Sequence, residues 1–168
     1  MTRYIRKRNP PPRPPIVYDD REKQPWMFLE DTWAMEKKRL KVGDYSFEGY
    51  EEAVAIEKKS GMGEMLKDLT GDYRKTFKRF LKRLSAYPVK CIVVENELRA
   101  SSVESIIRGL HYRSNGRSQL TEETVFYWVG EIMMVYGVPV LFVERAMRKK
   151  VIPFLFESAY KAAMEVKL

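Results

Sequence analysis

Cysteine and histidine are nearly missing: Cys91 and His111 are single copies in a chain of 168 residues. A disulfide within the chain is thereby excluded, and so is a Cys/His zinc cluster. Chemistry that needs a histidine base would rest on one side chain. No apolar run approaches the roughly 18 residues of a membrane-spanning helix, and the basic, then proline-rich N-terminus does not read as a signal peptide. The expectation is a soluble protein of a reducing, cytoplasmic compartment, with no membrane partner and no small-molecule cofactor. No internal repeat is evident. Acid is in the minority: 23 Asp+Glu against 31 Lys+Arg leave a net charge of +8. Such a balance favours a polyanionic partner, nucleic acid before anionic membrane. A basic surface that binds nothing has the same composition.

The length suits one domain with a real core, plus an arm. Residues 1–15, MTRYIRKRNPPPRPP, carry five arginines and lysines and no acid. Their prolines favour an extended, flexible arm over a packed element. Residues 16–168 form the domain. Ile16-Val17-Tyr18-Asp19 reads as a short strand, and residues 32–40 as another, with Trp33 and Met35 on one side. Ser60 is placed to cap a helix through Met65, Leu66 and Leu69. Over residues 73–86, Phe77, Phe80, Leu81 and Leu84 fall in one arc of a helix. Arg74, Lys75, Lys78, Arg79, Lys82 and Arg83 take the other side, a cationic stripe suited to phosphates. A merely solvated face is the alternative. Residues 90–95 are a buried-type strand, and Ser101 or Ser102 opens a helix through Ile106, Ile107 and Leu110. A polar loop spans 113–118. Thr121 opens the next helix, which Gly137 ends. Residues 138–143 are a further buried strand, and 145–166 are helical, broken or kinked at Pro153. Phe154, Leu155, Phe156 and Tyr160 there suit the core better than a homodimer face. The order of elements predicts an α/β fold, a mixed sheet flanked by helices.

The central stretch is residues 43–59, GDYSFEGYEEAVAIEKK. Gly43 permits a tight turn before Asp44. A hairpin follows, and its apolar second strand lands on Glu57-Lys58-Lys59. Side chains alternate along a strand, so Glu57 and Lys59 share a face. Two carboxylates brought together at a hairpin can hold a divalent cation through oxygen. A lysine beside them places positive charge near an attacking water. A charged strand end that is only solvated gives the same string.

Three motifs in order resemble the XPF-type nuclease domains, above all the stand-alone prokaryotic and phage members. Asp19-Asp20-Arg21-Glu22, followed by Gln24-Pro25-Trp26 and Phe28, is similar to their V-D-x-R-E strand. Gly43-Asp44-Tyr45 matches their G-D-Y, and Ile56-Glu57-Lys58-Lys59-Ser60 matches I/V-E-R-K-S. Arg74, Phe77, Leu81, Arg83 and Leu84 resemble the family's basic helix, and Ile92-Val93-Val94-Glu95 the strand after it. The resemblance covers about residues 16–97 well and the rest in outline. It implies a restriction-endonuclease-like fold and Mg²⁺- or Mn²⁺-dependent cleavage of DNA, often branched or flapped. By match, Asp19, Asp44 and Glu57 form the acidic, metal-binding cluster and Lys59 is the catalytic lysine. Arg21 would join the stripe residues in touching DNA. Two departures stand out. Lys58 replaces the motif's arginine and loses its planar fork. Gly63 stands where E-R-K-x-x-x-D has its aspartate; Glu64 and Asp68 are the nearby substitutes. The tandem helix-hairpin-helix module of larger relatives has no counterpart here, so branch specificity resting on it is not expected.

Two other functions fit the sequence less well. A non-catalytic nucleic-acid-binding module derived from a nuclease would suit Gly63 and Lys58, but not the intact Asp44, Glu57 and Lys59. A protein-interaction domain could use Pro10 to Pro15 as ligand for an aromatic groove.

Overall fold

A computed structural model describes residues 13–71, 73–96, 104–105, 107–108 and 120–166. Six strands form one sheet: β1 (Ile16–Asp19), β2 (Met35–Lys38), β3 (Tyr45–Phe47), β4 (Val54–Lys59), β5 (Val89–Val94) and β6 (Val140–Phe142). Their spatial order is β2-β1-β3-β4-β5-β6. The β1–β3 and β3–β4 pairs are antiparallel; β1–β2, β4–β5 and β5–β6 are parallel. This is the mixed sheet expected from the sequence. Four helices of eight residues or more stand among the described residues: α1 (Met62–Leu69), α2 (Tyr73–Ser85), α3 (Glu122–Met134) and α4 (Arg148–Val166).

Strand alternation sorts the side chains into two cores. On one face Ala55, Ile92 and Val94 meet α1, α2 and α3 through Leu66, Phe77, Leu81, Val125 and Ile132. On the other, Tyr45, Phe47, Val54, Ile56 and Val93 meet Trp26, Leu29, Trp33 and α4. Rings crowd this second core: Trp26 stacks on Tyr45 at 4.7 Å, and Phe156 stands edge-on to both. The parity then carries on past the apolar residues. Glu57 and Lys59 follow Ala55 toward the α1–α2 face, whereas Lys58 follows Ile56 and lies 5.8 Å from the Trp26 ring.

Several expectations are corrected. The strand read over residues 32–40 is only β2, an exposed edge strand. Trp33 belongs to the loop after a 3-10 turn at Met27–Asp31, and it packs on Phe47 and Tyr160. An edge carrying Glu36, Lys37 and Lys38 discourages pairing with another chain. Gly61, not Ser60, is the N-cap of α1; both the Ser60 hydroxyl and its N–H donate to Glu64 instead. Helix α4 starts at Arg148, and Phe156 and Tyr160 are core while Phe154 is exposed. Thr121 caps α3, accepting from the Thr124 N–H, as read. Of the helix expected after Ser101 or Ser102, Glu104, Ser105, Ile107 and Arg108 are helical, and its remainder lies outside the described residues. So do the 113–118 loop and residues 1–12 of the arm. Arg13, where the description begins, bonds Glu157 at 2.7 Å and lies over Trp33.

Gly43 fixes how closely the β3 entrance approaches β4. Its φ is +78°, and a Cβ there would stand 3.1 Å from the Ile56 carbonyl oxygen and 3.2 Å from the Ile56 nitrogen. Both are backbone atoms of a central strand and cannot swing aside. Gly43→Ala is therefore expected to cost about 2 kcal/mol or more, from the left-handed backbone plus the clash. Urea unfolding of the two proteins measures the difference.

Candidate active site

Three strand ends are laced together at one edge of the α1–α2 face. The Asp19 N–H donates to the Asp44 carbonyl at 2.8 Å, and the Asp44 N–H donates to the Ile56 carbonyl at 2.8 Å. The close pass at Gly43 puts the Asp44 carboxylate against β4, where it accepts from the Lys58 N–H at 2.7 Å. Asp19, Asp44 and Glu57 consequently line one cavity of about 560 Å³. Glu22, Lys58, Glu64, Phe80 and Arg83 also line it.

Asp44 and Glu57 are partly buried carboxylates that line the same cavity. Burial first, and the Glu57 charge second, push the Asp44 carboxyl up to about 8. Burial likewise raises Glu57, although Lys59 opposes the rise. Lys59 Nζ stands 2.7 Å from Glu57 Oε1 and 2.8 Å from Asp68 Oδ2. Burial opposes the charge of this ammonium, but the two carboxylates outweigh burial and hold it above the usual lysine range. The structure thus brings Asp44, Glu57 and Lys59 into one cluster on one face.

Asp19 differs, and its geometry does not suit the metal role expected of it. One oxygen accepts from the Arg21 N–H (2.9 Å) and Nε (2.6 Å), the other from Arg21 Nη2 (3.1 Å) and the Leu40 N–H (2.8 Å). Four donors saturate a carboxylate. Burial opposes its ionisation most, yet the Arg21 and Leu40 hydrogen bonds together hold the group below the ordinary range. Arg21 is correspondingly spent on Asp19 and on the Leu40 carbonyl (3.1 Å), though its side chain stays 60% exposed at the cavity.

The cationic stripe of α2 is divided by its neighbours. Lys78 bonds Glu131 of α3 at 2.8 Å, and Arg74 reaches Glu131 at 3.7 Å and lies over Trp128. Arg83 turns to the cavity. Lys75, Arg79 and Lys82 are exposed and, among the described residues, have no carboxylate partner. Phe80, assigned to the packing face by its period, is half-buried and forms cavity wall. Glu22 and Lys58 gain roles the motif alone did not give. Lys58 Nζ donates to the Gln24 carbonyl and reaches Glu22 at 3.5 Å, tying the loop after β1 to β4.

Do these residues suit a divalent cation? Two partly buried carboxylates with few donors between them are what such an ion relieves. Among the described residues no group of three or more His, Cys, Asp or Glu side chains could hold a metal. Mg²⁺ is commonly bound by one or two carboxylates, with water and substrate phosphate completing its shell, so Asp44 and Glu57 fit it. No described helix is long and apolar enough to cross a membrane.

No family model matches the chain, and no curated protein matches it either. Solved structures do. XPF from Aeropyrum pernix in complex with DNA superposes with a TM-score of 0.60 at 18% identity, over 91% of this chain and 66% of that one. XPF from Aeropyrum pernix without DNA gives 0.59 at 17%, over 88% and 60%. The fold is that of XPF. It is restriction-endonuclease-like, a six-stranded mixed sheet flanked by helices. This chain spans about two thirds of the length of those XPF chains or less. Within the XPF frame, the strand ends of β1, β3 and β4 converge on the cavity.

The two aspartates should respond oppositely to acid. Asp19 lies below its unfolded value near 3.8, so it stabilises the fold above that pH, and the gain is lost as pH falls through its folded value. Asp44 lies above its unfolded value, so its stabilising contribution is full below pH 3.8 and is lost as pH rises through about 8. Asp19→Asn is expected to lower stability at pH 7 by about 2 kcal/mol, as for lost charged hydrogen bonds. Asp44→Asn should raise the Tm in EDTA, more at pH 8 than at pH 5. Thermal unfolding of both variants across pH checks this.

Proposed function

We propose that this chain is a divalent-metal-dependent DNA endonuclease that hydrolyses phosphodiester bonds. The observation that carries the reading is the partly buried Asp44–Glu57 pair, facing a cavity, with the Lys59 ammonium bonded to Glu57. The DNA in one XPF complex supports DNA as the ligand. Branched or flapped DNA, of the kind met in repair and recombination, is the substrate class we favour.

Asp44 and Glu57 would hold Mg²⁺ or Mn²⁺ through carboxylate oxygen. When bound there, the ion supplies Lewis-acid polarisation of the scissile phosphate and a more acidic water. Lys59 contributes a fixed positive charge beside Glu57, where negative charge grows on the reacting phosphate. Its neighbours prevent it from wandering, so little reorganisation accompanies the reaction. Asp19 serves by holding Arg21 and the Leu40 backbone in the cavity wall. Arg83, Lys41 and Lys23 border the same cavity and offer phosphate contacts. Lys75, Arg79 and Lys82 extend that positive surface along α2. The exposed apolar residues Phe126, Tyr127, Met133 and Met134 of α3 are the surface a homodimer would bury.

Labelled single-stranded, duplex, flap and four-way DNAs, each with Mg²⁺, Mn²⁺ or EDTA, test the reading. Cleavage should require metal, and Asp44→Asn or Glu57→Gln should lower its rate by about two orders of magnitude or more. Near-normal turnover by both variants would reject the mechanism. DNA affinity should fall with salt by about 0.9 log unit per log unit for each duplex phosphate contact. Replacing Lys75, Lys82 and Arg83 with Ala should flatten that slope without changing stability. An unchanged affinity and slope would leave the stripe a solvated face.

A further inference from the structure

We propose that Asp68 is a positioning residue for Lys59, sparing Glu57 from neutralising the ammonium alone. The inference rests on the endonuclease reading above. Lys59 is 8% exposed at its side chain and lies over the Phe77 ring. A buried ammonium needs both opposite charge and acceptors for its protons. Glu57 supplies one acceptor at 2.7 Å and Asp68 another at 2.8 Å. With Asp68 removed, Glu57 would be the sole close counter-charge, and it is the same carboxylate that must face a cation and a phosphate.

The other candidates for this task are placed less well. Glu64 Oε1 stands 4.0 Å from Lys59, and Glu64 Oε2 accepts from both the N–H and the hydroxyl of Ser60. Gly63 has no side chain, and nothing lies within 4 Å of where its Cβ would be. Asp68 is well anchored: its helix neighbours Met65, Leu66 and Leu69 are buried on α1, and its own carboxylate is 24% exposed. Nothing in the local chain couples positions 59 and 68. The contact exists because α1 folds back over the end of β4.

Steady-state cleavage by wild type, Asp68→Asn and Asp68→Glu provides the test, with a ¹⁵N-lysine NMR spectrum as a second arm. Asp68→Asn should lose about tenfold or more in kcat, as losses of partners behind a metal ligand do, with KM for DNA unchanged. It should also need more Mg²⁺ for its half-maximal rate. Asp68→Glu should recover most of kcat. In the wild type, the Lys59 ammonium should give a signal that exchanges slowly with water, and Asp68→Asn should lose it. An active wild type with an equally active, folded Asp68→Asn overturns the inference alone. Should Asp68→Asn fail to fold, a wild-type ammonium that exchanges like an exposed lysine overturns it. A wild type that cleaves no DNA overturns the endonuclease reading instead, and catalytic positioning falls with it.

Discussion

Two partly buried carboxylates, Asp44 and Glu57, facing one cavity are the constraint to which the rest of this structure answers. Burying an unpaired charge costs several kcal/mol, and a second like charge adds to it. Asp44 has one short hydrogen-bond donor, the Lys58 N–H, and Glu57 has the Lys59 ammonium. The fold nevertheless forces the pair together. Gly43 lets the chain pass within contact of Ile56, and the lacing of β1, β3 and β4 leaves no slack at that edge. Asp19 on the neighbouring strand makes the contrast: its four donors make its charge stabilising. One aspartate is held by four donors and the other by one.

Much of this was legible in the sequence, because alternation is a local rule. The strand ending in Glu57-Lys58-Lys59 puts Glu57 and Lys59 on one side whatever surrounds it. The period of Phe77, Leu81 and Leu84 marks the buried side of α2, and all three are buried. What escaped were contacts made by the fold alone. The Leu40 N–H reaches Asp19 across 21 positions, and Asp68 meets Lys59 from a different element. A helical wheel gives each cation of α2 an angle but no neighbour, so the pairing of Arg74 and Lys78 with Glu131 could not be read from it. The 3-10 turn that removes Trp33 from β2 left no periodic signal. The apolar outer face of α3 was hidden by apolar residues on its inner side as well.

Acid and base share the cavity lining: Glu22, Asp44 and Glu57 stand there with Lys23, Lys41 and Arg83. The Lys58 backbone N–H serves Asp44, and its side chain runs to the opposite face, under Trp26, to hold the loop that carries Glu22. The departure from arginine at this position keeps the charge and gives a single-point tether in place of a fork.

The central claim is that Asp44 and Glu57 together hold a divalent cation, and direct Mn²⁺ binding tests it without relying on activity. Electron paramagnetic resonance of free Mn²⁺, titrated with protein, reports the bound fraction. The account predicts saturable binding to the wild type that is displaced by Mg²⁺ and abolished in both Asp44→Asn and Glu57→Gln. Binding of equal affinity by wild type and both variants would contradict it.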